Sequence, residues 1–164
     1  MCCMTDDYRT WLICRFVCHV TVELNNLILN LVMEPVRVFL LKGKESMIIH
    51  VKSIQELGCA YWKKARNKNF NVGDICYLYL IGKSHYQVRY RLEVVDTSCV
   101  RADSSCWITS YVPDNDCYKL IPTSDMYDGN ELYLDTLESI GINRHTQFKE
   151  LDEKQELYLS RFFI

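Results

Sequence analysis

Residues 75–81 read ICYLYLI, seven in a row without a charge; NFNVGD precedes them and QVRYRLEVV follows after a short basic loop. This pair of segments is the strongest constraint in the chain. Asn71, Gly73 and Asp74 favour or permit the conformations that end one element and begin another. A strand with no polar face has to be covered on both sides, so Ile75–Ile81 is expected to meet apolar neighbours above and below. In the partner, Val88, Tyr90, Leu92 and Val94 fall on one face by the two-residue period, while Gln87, Arg89, Arg91 and Glu93 fall on the other. The first face is expected in the core. The second faces something wet, and its arginines suit an anion.

At 164 residues, 49% of them hydrophobic and 24% charged, the chain has the composition of one globular domain able to bury a real core. Its net charge of -2 conceals an uneven distribution. Residues 61–95 carry a formal +5 through Lys63, Lys64, Arg66, Lys68, Lys83, Arg89 and Arg91, and residues 124–156 carry -6. A basic footprint of that kind attracts phosphates, although charge alone also fits a solvated face that binds nothing.

The nine cysteines are odd in number and follow no secretory signal, so the sequence reads as a cytoplasmic chain with reduced thiols. Cys14, Cys18 and His19 cluster, as do Cys99, Cys106 and Cys117, but neither set forms the paired C-x-x-C knuckle of structural zinc. No metal or other cofactor is expected. Apolar residues from Ile13 to Leu31 recur at helical spacing, yet Arg15, His19 and Glu23 interrupt them too often for a membrane span. Residues 1–33 are therefore expected to be an extension with helical potential, and residues 34–164 the working domain.

Within that domain Val36–Leu41 reads as a first strand, and SIQE at 53–56 as a capping box that starts a short helix ended by Gly58. AYWKKARNKNF then reads as an exposed basic segment with one large aromatic. Ser105–Val112 and Cys117–Ile121 are expected strands, the second stopped by Pro122. Leu134, Leu137 and Ile140 suit a short helix closed by Gly141, and Asp152 a cap for a last helix with Leu157, Leu159 and Phe162 as its apolar positions.

This order of pieces, with VGDICYLYL, VRYRLEVV and DGNELYLDTLESIGI as its most specific parts, resembles the EVE domain over roughly residues 36–164. The resemblance is strongest to the EVE domains that precede HNH endonuclease domains in bacterial restriction systems. It implies an α+β, PUA-like fold with YTH and ASCH domains as relatives: a small twisted mixed β-barrel with short flanking helices. It also implies recognition of a methylated or hydroxymethylated base, such as 5-methylcytosine, extruded from DNA into an aromatic pocket. By type, Phe39 and Trp62 match the pocket walls, with Tyr77, Tyr79, Tyr86 and Trp107 as further candidates. Lys63, Lys64, Arg66, Lys68, Lys83 and Arg89 match phosphate contacts. Two segments depart from the family pattern. LKGKESM stands after strand one, where relatives carry a polar reader of the base edge, and TQFKEL stands where they tend to have a Gln-Gly-Pro turn.

No enzyme is expected. His19, His50, His85 and His145 are isolated, no HNH cluster follows the domain, and the IGKS at 81–84 fails as a phosphate loop because Tyr77 occupies the position that requires glycine. The expectation is a non-catalytic reader of a modified base in DNA, with a nuclease supplied by a separate subunit. The alternatives are an RNA-binding module, or a protein-interaction domain that has lost the pocket.

Overall fold

The computed structural model describes residues 35–66, 69–82, 86–110 and 116–164; the expected N-terminal helix, Lys68 and Lys83 lie outside them. Val36–Ile164 forms one compact unit. Its elements in chain order are β1 (Val38–Lys44), α1 (His50–Leu57), β2 (Ala60–Lys63), β3 (Ile75–Ile81), β4 (Tyr86–Cys99), a 3₁₀ turn (Ser104–Cys106), β5 (Cys117–Pro122), α2 (Leu134–Ser139), β6 (Lys149–Glu150) and α3 (Glu153–Ser160).

The strands form one sheet in the order β2-β5-β4-β3-β1-β6, with β1 and β3 parallel and the other neighbours antiparallel. Ile75 to Leu80 of β3 are all buried, as a charge-free strand requires. Cys76, Leu78 and Leu80 join Phe39, Leu41 and Ile54 on one face. Ile75, Tyr77 and Tyr79 join Val38, Leu40, Leu137 and Leu159 on the other. Helix α1 thus covers one face, and α2 and α3 cover the other.

The expected barrel is not formed. Strands β2 and β6 are the two ends of the sheet, and no ladder joins them among the described residues. β6 has two residues and pairs only with Phe39 and Leu40 of β1, too little to carry the sheet round on itself. Because β1 and β3 are apolar on both faces, each face has its own helical cover, and the result is an open sheet between two layers.

Local chemistry explains several boundaries. The Asn71 amide donates to Asp74 Oδ2 at 2.7 Å and Gly73 takes φ +91°, which makes the turn into β3. Asp152 and Gln155 complete a reciprocal capping box at α3, worth about 1 kcal/mol. Leu159 is buried on that helix, but Leu157 faces solvent, and Phe163 supplies the further apolar contact. Helix α1 begins at His50, before the expected cap, and the Ser53 hydroxyl inside it donates to the Cys59 carbonyl at 3.0 Å. Gly58 ends it at φ +67°. The segment after it is not an exposed stretch: Ala60 and Tyr61 are buried in β2, which pairs with β5. Ser104–Cys106 is a 3₁₀ turn followed by bends rather than the start of a strand.

The alternation expected in β4 breaks once. Leu78 pairs with Tyr90 but Tyr79 with Val88, so Arg89 is an extra residue, a β-bulge. Tyr90, Leu92 and Val94 pack beneath α1, whereas Val88 is turned to the opposite cluster.

Candidate nucleic-acid interface

The carboxyl end of β1 meets β2, the turn before α1, the loop after β4 and the segment before β6, and a cleft of about 370 Å³ opens there. That size suits a small aromatic ligand. Its lining includes Lys42, Gly43, Lys44 and Met47 at the end of β1, His50 of α1, Trp62 and Lys63 of β2, Arg101 and Trp107 of the β4–β5 connection, and Gln147 and Phe148 before β6. No aspartate or glutamate lines it among the described residues.

Each wall is fixed by the structure behind it. Trp62 lies opposite Tyr118 on β5, and its indole stacks on the His50 imidazole with centroids 5.4 Å apart and planes 26° from parallel. His50 reaches this position because residue 43 is glycine: a Cβ there would come within 2.6 Å of the imidazole ring. The imidazole is 4% exposed, and its Nδ1 has no hydrogen-bond partner among the described residues. Burial first, and the neighbouring Arg101 charge second, push its pKa down from 6.5 to about 4, so it is uncharged at neutral pH.

Trp107 is held by backbone pairing with the turn before α1: Ile48 and Trp107 form a bridge, and the Ile108 amide donates to the Met47 carbonyl at 2.9 Å. Beneath it the Arg101 guanidinium lies 5.0 Å from the indole centroid. Arg101 Nη1 donates to both carboxylate oxygens of Asp103 at 3.0 Å, and Nη2 to the Tyr61 carbonyl at 3.4 Å. Both members of this ion pair are buried. Burial pushes the Asp103 carboxyl up from its usual range, with Arg101 pulling the other way. Phe148 continues the wall into the core, where it stacks on Phe70 at 4.9 Å and lies 5.3 Å from Phe39.

Of the expected base-binding aromatics, the structure brings Trp62 and Trp107 together on this cleft. Phe39 is buried behind it, against Phe70 and Phe148. Tyr77 and Tyr79 are buried on the opposite face of the sheet. Tyr86 borders a second groove beyond the end of β1. Of the expected phosphate contacts, Lys63 stands at the cleft and Arg66 is exposed. Lys64 pairs with Asp116 at 2.6 Å and Arg89 with Asp128 at 2.5 Å, so the chain's own acids hold both.

His50, Arg101, Lys42, Lys44, Gln147 and Phe148 were not picked out from the sequence as site residues. For four of them a signal existed. LKGKESM and TQFKEL, the two departures from the family pattern, supply Lys42, Lys44, Gln147 and Phe148 to the lining. His50 and Arg101 had none, because their roles depend on burial.

No family model and no curated protein matches the sequence. Among solved structures, human THYN1 in complex with 5-methylcytosine-containing DNA superposes with a TM-score of 0.52 at 10% identity, covering 75% of this chain and 95% of that one. A Pseudomonas putida protein gives 0.52 at 12% identity over 76% and 98% of the two chains. The Pho92 YTH domain in complex with m6A gives 0.50 at 16% identity over 80% and 85%. The chain therefore shares its fold with THYN1 and with the Pho92 YTH domain.

Proposed function

We propose that this chain is a non-catalytic reader of a modified base in DNA, and that it holds the base in the cleft between Trp62 and Trp107. The observation that carries this reading is the lining itself: two indoles, an uncharged imidazole and several cations around an opening of about 370 Å³, without a carboxylate among the described residues. An aromatic base stacks on such walls for roughly 1–3 kcal/mol, and its flanking phosphates meet cations rather than acids. Gln147 offers both a donor and an acceptor to a base edge. The fold shared with a protein solved on 5-methylcytosine-containing DNA supports the same reading.

Among the described residues the cleft is lined by donors and aromatic faces, and by neither a thiol nor a carboxylate. Cleavage, where the system needs it, falls to a separate nuclease, and the reader works in the cytoplasm. A second reading, the same cleft used on RNA, is favoured by the likeness to a YTH domain solved with m6A.

Fluorescence anisotropy decides between them. Matched DNA and RNA oligonucleotides, with and without one 5-methylcytosine or one N6-methyladenine, are titrated at fixed salt. The proposal requires the methylated DNA to bind tightest and Trp62→Ala to abolish its preference. Tightest binding to a methylated RNA selects the second reading, and binding to none of the oligonucleotides removes both.

A further inference from the structure

Four described basic side chains on or beside the sheet are already committed to carboxylates. Arg37 pairs with Asp74, Lys64 with Asp116, Arg89 with Asp128 and Arg101 with Asp103. Of the strand face expected to meet an anion, Arg89 is held in this way and Arg91 donates to the Thr123 hydroxyl at 2.7 Å. Lys42, Lys44 and Arg144 have no carboxylate partner among the described residues, and all three border a second groove of about 740 Å³ at the end of β1. His145 and Tyr86 add to its lining, and Glu45 is an acid on its rim. Lys42 and Lys44 border both this groove and the aromatic cleft, so the two adjoin at the end of β1, the groove on the face of Tyr79 and the cleft on the face of Leu41.

The two lysines alternate with Gly43 on one strand and therefore point the same way. Burial, and then the like charge of Lys44, pull the Lys42 pKa down, a repulsion that an anion between them would relieve. Lys42 is held at this junction by its Nζ, which donates to the Arg144 carbonyl at 2.5 Å. The same contact brings the Arg144 segment to the end of β1.

We infer that the groove of Lys42, Lys44 and Arg144 carries the phosphates of the strand whose base occupies the aromatic cleft. This rests on the base-reading proposal for the direction of the strand, but it makes its own claim: the salt dependence of binding belongs to this groove. The cations of Lys64 and Arg89, held by the chain's own acids, contribute little to it.

The test uses the full chain and two single-stranded DNA oligonucleotides, one with a single 5-methylcytosine and its unmodified twin, titrated from 50 to 200 mM salt. Each phosphate neutralised on a single strand adds about 0.7 to the slope of log affinity against log salt. Lys44→Gln with Arg144→Gln is expected to lower the slope by about 1.4, so that this salt interval weakens binding roughly sevenfold less than in the parent. Both oligonucleotides should lose affinity in equal proportion. Lys64→Gln with Arg89→Gln should leave the slope near the parent value.

A parent slope in the Lys44/Arg144 variant, or a slope lost instead with Lys64 and Arg89, overturns the inference. A flattened slope in a protein that does not distinguish the two oligonucleotides sustains the groove and removes the base reading. A methyl preference with an unaltered slope does the reverse. Absence of binding to either oligonucleotide overturns both.

Discussion

The imidazole of His50 lies flat against the indole of Trp62, 5.4 Å between centroids, and carries no charge at neutral pH. In the unfolded chain the same group titrates near 6.5. Its folded pKa, about 4, is depressed, so the unfolded state binds more protons between these values. The resulting stability is fully present above pH 6.5 and is lost as pH falls toward 4, on the order of 3 kcal/mol in all. Asp103, whose pKa is raised by burial, works in the opposite sense. Urea melts across that pH range should therefore show a falling midpoint that His50→Gln flattens. A parent curve with no slope there would mean that the imidazole is not buried in neutral form.

Trp62→Ala is expected to remove specific binding altogether. Extruding a base costs a few kcal/mol, and stacking returns roughly 1–3, so neither indole can be spared. Removing only the methyl from the ligand should cost about 0.8 kcal/mol, or roughly fourfold. Anisotropy with paired oligonucleotides measures both. A hundredfold methyl preference would show that Gln147 or another polar group reads the base edge as well.

Breaking the buried Arg101–Asp103 pair should destabilise the fold more than replacing it. Asp103→Ala leaves a guanidinium that is 2% exposed without its counter-charge, at a cost of about 3–5 kcal/mol. Arg101→Met with Asp103→Leu should recover part of that loss, read as the urea midpoint of the two variants. Equal losses would argue against a penalty from the stranded charge.

The hydroxyl of Tyr79 is buried with no hydrogen-bond partner among the described residues. Tyr79→Phe is expected to raise stability by about 1 kcal/mol and to leave oligonucleotide affinity unaltered, because the ring lies across the sheet from the cleft. A loss of binding in this variant would return Tyr79 to the base-contacting set.

A chain beginning at Met33 should unfold cooperatively, since every described strand and helix of the sheet lies between Val38 and Ser160. Differential scanning calorimetry tests this, and loss of the transition on truncation would make the preceding residues part of the core.

What could be read from the sequence was what depends on a few neighbouring residues. The Asn71–Asp74 turn, the Gly58 and Gly141 stops, the Asp152 cap and the doubly covered β3 need no knowledge of the rest of the chain. The Arg89 bulge was hidden because an alternating pattern carries no record of a register shift, and that shift appears only against β3. Ser53 looked like a cap because its spacing to Glu56 is right, but α1 starts three residues earlier, where it packs on the sheet. Trp62 and Trp107 could be nominated by type, but their pairing across one opening depends on the loop after β4 folding back onto the turn before α1. Phe39 was equally plausible by type, but it lies at the start of β1 beneath Phe70 and Phe148, which put it in the core. The open sheet was missed because a family resemblance supplies strand order more readily than closure.

Phe148 faces the cleft on one side and stacks on Phe70 on the other. A single ring is thus both the lip of the cleft and the last layer of the interior. Any replacement that reshapes the opening at this point also unpacks the aromatic cluster beneath it, so selectivity and thermal endurance cannot drift independently here. A lineage altering which base it accepts would meet less resistance at Lys44 or Gln147, whose removal disturbs no packing layer, than at this phenylalanine.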